Sequence, residues 1–120
     1  MKYMLLIYEN EVERDALTEA QRKAETGEYL RFTDDIRRTG SHLSQVPAAP
    51  LAPTTTSTTV RVRNGKTLLT DGPFAETKEQ LGGFYLVEAA NADEAIALAA
   101  RIPGARRGSV EVRPFRMIEG

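Results

Sequence analysis

The sequence predicts a single α+β domain, and three observations carry that expectation. An Asn64-Gly65 pair separates two strand-like runs, Val60 to Arg63 and Lys66 to Thr70, which specifies a hairpin with a type I′ turn. Two stretches open with helix-capping signatures, Thr18 with Gln21 and Asn91 with Glu94. Runs of β-forming residues flank these elements: Tyr3 to Tyr8, Gly83 to Ala89 and Val110 to Arg113. Together they read as β-α-β-β-α-β, the ferredoxin-like split βαβ pattern.

Taken in order, Tyr3 to Tyr8 is continuously apolar and reads as a strand buried on both faces or nearly so. Glu9 to Asp15 is charged and reads as a loop. A helix then runs from Thr18 to a stop at Gly40. Its apolar positions fall into two sets, Leu17, Ala20 and Ala24, then Tyr29, Phe32 and Ile36, with a weak point at Gly27 between them. Ser41 to Pro53 contains three prolines and reads as a loop, with a short strand at His42 to Val46. A threonine run, Thr54 to Thr59, favours β structure and leads into the hairpin. Cross-strand pairing there puts Val60, Val62, Thr67 and Leu69 on one face, and Arg61, Arg63 and Lys66 on the other with Leu68. The second helix, Asn91 to Arg101, offers Ala92, Ala95, Ile96 and Ala99 for close packing on a sheet and ends at Pro103-Gly104. The last strand alternates, and Pro114 either places it at a sheet edge or ends it there. Two helices on one face of a four-stranded sheet leave the other face bare, with Val60, Val62, Leu69, Phe84 and Leu86 as its apolar residues. A homodimer is therefore expected.

Composition narrows the function classes. Sixteen basic against seventeen acidic residues create no net field for nucleic acid or an anionic membrane. The 120-residue chain has no cysteine, which excludes a disulfide framework, a thiolate metal site and a cysteine nucleophile, and which fits a cytoplasmic protein. No window approaches the ~20 apolar residues of a membrane span. His42 is the only histidine, so a tight transition-metal site has no donor set, and neither a metal nor a cofactor is expected.

The least generic run is Asp71 to Phe84, DGPFAETKEQLGGF. Asp71 cannot bond the backbone two residues on, because Pro73 lacks an N–H. Its carboxylate can reach the N–H of Phe74 and cap a short helical turn through Ala75 to Gln80, or it is left free to face a cleft. With Glu76, Lys78 and Glu79 nearby, it is the acid best placed for general acid–base work; otherwise those three form a solvated face. Gly82-Gly83 precedes a strand, whereas phosphate-binding glycines precede a helix. Tyr8 and Tyr29 are candidates to line a pocket through an apolar ring with a polar hydroxyl, joined by Phe74 and His42 as candidate ligand-binding residues. Arg101, Arg106, Arg107, Arg113 and Arg116 make the last third locally basic.

DGPFAETKE, LGGFYLVEA and GSVEVRPF, in that order after an opening KYMLLIY, resemble the DGPF branch of the YCII-related (YciI-like) proteins across nearly the whole chain. The resemblance implies a ferredoxin-like domain that pairs into a dimeric α+β barrel. The leading expectation is a small-molecule-binding domain, enzymatic through Asp71, with a cleft near Asp71 between the sheet and the DGPF segment. The setting of similar proteins beside extracytoplasmic-function sigma factors suits the alternative, a non-catalytic homodimeric accessory protein. The YciI branch carries a histidine early in its first helix and an aspartate before a proline after its second. Here those positions fall near Glu28-Tyr29 and at Ile102 before Pro103, and neither residue type is kept.

Overall fold

The computed structural model describes residues 1–43 and 49–117. The first strand, β1 (Lys2–Glu9), is central and pairs antiparallel with β5 (Gln80–Glu88) on one side and β6 (Ser109–Pro114) on the other. A two-residue strand, β2 (Ala49–Pro50), joins the outer edge of β5, and the sheet order is β2-β5-β1-β6. The result is an α+β architecture compatible with a ferredoxin-like fold.

Burial along β1 alternates. Tyr3, Leu5, Ile7 and Glu9 are buried, while Met4, Leu6 and Tyr8 are half-buried. The apolar run is thus not buried on both faces as its composition suggests, because the helices cover one side only. On that side Tyr3, Leu5 and Ile7 meet Tyr85 and Val87 of β5, and the helices α2 (Glu19–Arg38) and α3 (Ala92–Ala100) close over them with Phe32, Ile36, Ala95 and Ala99. Phe32 meets the Tyr85 ring edge-on with centroids 5.3 Å apart, a contact worth about 0.5–1.5 kcal/mol beyond area. The Tyr85 hydroxyl is satisfied by Thr33 at 2.9 Å.

Thr18 and Gln21 form the expected capping box, and Asn91 accepts from the N–H of Glu94 at 2.9 Å to start α3. In α2 only the second apolar set packs on the sheet; Ala20 and Ala24 are exposed, and the helix runs through Gly27 without a break. On α3 the buried stripe is Ala95 and Ala99 with Leu98 beside them, and Ile96 faces outward.

Several segments differ from expectation. Glu11–Asp15 is a short helix, α1, because Asn10 caps it by accepting from the N–H of Glu13 at 3.0 Å. His42 bridges to Val87 as an isolated pair, and the rest of the strand expected at His42 to Val46 lies largely outside the described residues. Residues 72–79 form bends rather than a helical turn, so Asp71 caps no helix. The hairpin of β3 (Thr58–Arg63) and β4 (Lys66–Asp71) turns at Asn64 (φ 51°) and Gly65 (φ 74°), both in the region a type I′ turn needs. This hairpin is a separate two-stranded sheet, surplus to the β-α-β-β-α-β order. Val60, Val62 and Leu69 therefore do not lie on the bare face of the main sheet. By strand register that face carries Met4, Leu6, Tyr8, Phe84 and Leu86.

Candidate functional site

The register that buries Tyr3, Leu5 and Ile7 continues for one more step and carries Glu9 to the same side of the sheet. Glu9 is only 8% exposed, at the floor of a cleft of about 430 Å³. That volume lies within the range of small-molecule sites. Ile7, Leu17, Leu30 and Leu51 supply apolar wall, and Tyr29 and Arg107 reach in from α2 and from the segment before β6.

The floor is shaped by a bulge. Ile7 pairs with Gly83 but Tyr8 pairs with Leu81, so Gly82 is the extra residue on β5. Its carbonyl accepts from the N–H of Leu51 at 2.8 Å, which draws the segment after β2 across the cleft. Glu11 pins the far end of that segment, accepting from the N–H and hydroxyl of Thr54 at 2.9 and 3.0 Å. The N–H of Glu11 donates to Gln80 Oε1 at 2.9 Å and Asn10 donates to the carbonyl of Lys78 at 3.2 Å. The distinctive run of the sequence thus serves as scaffold at the cleft's margin through Lys78, Gln80 and Gly82.

At the floor, Tyr29 Oη accepts from the N–H of Gly104 at 3.1 Å and lies 3.5 Å from Glu9 Oε1. Arg107 binds both carboxylate oxygens of Glu25 at 2.6 Å and stands 4.0 Å from Glu9 Oε2. Burial first, then the charges of Glu9 and Glu25, push the Tyr29 phenol well above its ordinary value, against the N–H of Gly104. Tyr29 therefore keeps its proton and presents it toward Glu9. Space at position 104 is tight: an added Cβ would lie 2.7 Å from both Glu9 Oε1 and Tyr29 Oη and would push those two side-chain tips aside. Among the described residues the Glu9 carboxylate, nearly buried, has two long contacts and lone pairs to spare, where a buried carboxylate ordinarily has close partners. Such a group can accept a hydrogen bond from a bound hydroxyl or ammonium, or take a proton from it.

Of the residues singled out from sequence, Tyr29 lines this cleft. Tyr8 is next to Glu9 in sequence but points to the open face of the sheet. His42 packs edge-on to Tyr85 with centroids 5.7 Å apart; burial, then the charge of Arg37, lowers its pKa. Asp71 is exposed on β4 and Phe74 is 81% exposed; neither lines the cleft. Glu9, Glu25, Gly104 and Arg107 are not among the site residues that the sequence singles out. The period-two register of β1 is the signal that could have found Glu9; nothing local marks the other three. Among the described residues, no cluster of three or more His, Cys, Asp or Glu side chains is placed to hold a metal ion. No helix among them is long and apolar enough to cross a membrane.

Residues 1–118 match the YCII-related domain family. An uncharacterised protein of Rhizobium meliloti (strain 1021) is 40% identical, with the match covering 98% of this chain and 94% of the relative.

Proposed function

The chain belongs to the YCII-related family, and we propose that it binds a small organic molecule in the cleft between α2, the segment after β2 and the sheet. The observation that carries this reading is the Glu9 carboxylate, nearly buried at a concave floor, whose side-chain contacts among the described residues are the long ones to Tyr29 and Arg107. A ligand that fits has a hydroxyl or amine to donate to Glu9 and an apolar body to lie against Ile7, Leu17 and Leu51. If chemistry follows binding, Glu9 is the base, and Tyr29 is the proton donor beside it. Asp71 enters only as a second acid, outside the cleft.

The working unit of this reading is a homodimer of ferredoxin-like domains. Met4, Leu6, Tyr8, Phe84 and Leu86 make an apolar sheet face that a second copy covers, closing an α+β barrel. Sedimentation at micromolar concentration should give twice the chain mass. A thermal-shift screen of small hydroxylated and aminated metabolites tests the cleft, since ligand at ~100 times its dissociation constant adds about 2.7 kcal/mol. Hits should vanish in Glu9→Gln and weaken in Tyr29→Phe; hits that persist unchanged in both variants would remove the cleft from consideration.

A further inference from the structure

The charged groups that line the cleft do not cancel, and the imbalance sits at its floor. At the rim, Glu11 and Asp15 stand against Arg14 and Arg22, two charges of each sign. Arg14, Asp15 and Arg22 are exposed, so solvent screens them. Arg22 donates to the carbonyl of Asp15 at 2.9 Å, and Glu11 is committed to Thr54. At the floor, Glu9 and Glu25 face Arg107, two negative charges against one positive, a net −1 among the described residues. The side chains of Glu9, Glu25 and Arg107 are 10%, 19% and 30% exposed, so this charge is screened far less than the rim's. Tyr29 keeps its proton, because burial and then the charges of Glu9 and Glu25 raise its pKa, and so adds no charge.

The floor is short of hydrogen-bond donors in the same sense. Arg107 donates to both carboxylate oxygens of Glu25, and its 4.0 Å to Glu9 Oε2 is too long for a hydrogen bond. The N–H of Gly104 is committed to Tyr29 Oη. The Tyr29 hydroxyl lies 3.5 Å from Glu9 Oε1, while the two oxygens of a carboxylate have room for about four hydrogen bonds. A bound hydroxyl would bring one donor and no charge. A primary ammonium brings three donors and one positive charge, and a carboxylate brings neither.

Resting on the cleft reading above, we propose that the ligand is a small primary amine on an apolar body, bound as its ammonium to Glu9. Its N–H groups donate to the Glu9 oxygens and bring the floor to zero net charge. Charge-assisted bonds of this kind are about twice as strong as neutral ones. The apolar body lies against Ile7, Leu17 and Leu51. An alcohol of the same shape leaves the floor negative, and an acid adds a second uncompensated charge that is costly to bury.

The test compares three head groups on each of two bodies. Phenethylamine, phenethyl alcohol and phenylpropionate, then isoamylamine, isoamyl alcohol and isocaproate, are titrated into ¹⁵N-labelled protein at neutral pH, with the Gly104 amide as reporter. The amines should bind about tenfold or more tightly than the matching alcohols, and the acids more weakly than either. Glu9→Gln keeps the shape and removes the charge, so there amine and alcohol should bind alike. Alcohols or acids that move the Gly104 amide of the wild type as readily as the amines overturn the ammonium and leave the cleft standing. An amine preference that survives in Glu9→Gln overturns Glu9 as its partner, and the proposal with it. Where none of the six moves Gly104, the head group of the screen hit that does move it decides: an amine upholds the proposal, and an alcohol or acid overturns it alone. No movement of Gly104 with any probe or any screen hit overturns both the ammonium and the cleft.

Discussion

The hairpin and the cleft are built by opposite kinds of interaction. Among the described residues the hairpin is held locally: a turn at Asn64-Gly65, cross-strand pairs at most 13 residues apart, and side chains left in solvent. In the cleft, Glu9, Tyr29 and the Gly104-to-Arg107 segment come from three separate stretches and meet because the sheet and α2 are packed. The difference teaches that a turn is set by residues near in sequence, while a cleft is assembled where distant and ordinary-looking residues converge.

The comparison can be broken most forcefully at the packing itself. Leu5 is fully buried under α2 and α3, so Leu5→Ala should cost about 2–5 kcal/mol in chemical denaturation. Leu68→Ala on the half-exposed ribbon should stay within about 0.5 kcal/mol; equal losses would mean that the hairpin belongs to the same core. A smaller loss is expected at the cleft floor. Gly104→Ala forces Glu9 and Tyr29 aside and should cost about 1–3 kcal/mol, with any ligand-induced thermal shift abolished. If that shift survives, the floor is not where ligand sits.

Gly65→Val comes next, at about 1 kcal/mol or more, because a β-branched residue is strained at φ 74°. Its signature should be faster hydrogen exchange of β3 and β4 amides, with β1 and β5 amides unchanged. The smallest effect concerns His42. Its pKa is lowered from the ordinary 6.5 by burial and then by Arg37, so the unfolded chain takes up the proton first as the pH falls. Stability from this group is full above about 6.5 and is lost progressively toward the lowered folded value. His42→Gln should flatten that part of the stability–pH curve, and an unaltered slope would count against the depressed titration.

What was legible in the sequence follows the same division. The capping box at Thr18, the cap at Asn91 and the turn at Asn64-Gly65 each depend on residues within four positions, so pattern alone locates them. α1 carried an equivalent local signal, Asn10 with Glu13, hidden by its density of charge. β2 is two residues long and exists only because β5 offers an edge, so no periodicity could announce it. Tyr29 was legible as an aromatic with a polar tip. Its partner Gly104 was not, because the side chains that crowd it, Glu9 and Tyr29, lie far earlier in the chain. Arg107 reads in sequence as one of five C-terminal arginines, and only folding sets it against Glu25.

The central claim is that ligand binds at Glu9 and Tyr29, away from the Asp71 hairpin. The amide of Gly104 reports on it directly, since it donates to the Tyr29 hydroxyl. Adding the strongest hit of the thermal-shift screen to ¹⁵N-labelled protein should move the Gly104 and Gly82 amide resonances and leave those of Thr70 to Gly72 in place. Shifts confined to Thr70, Asp71 and Gly72, with Gly104 unmoved, would contradict it.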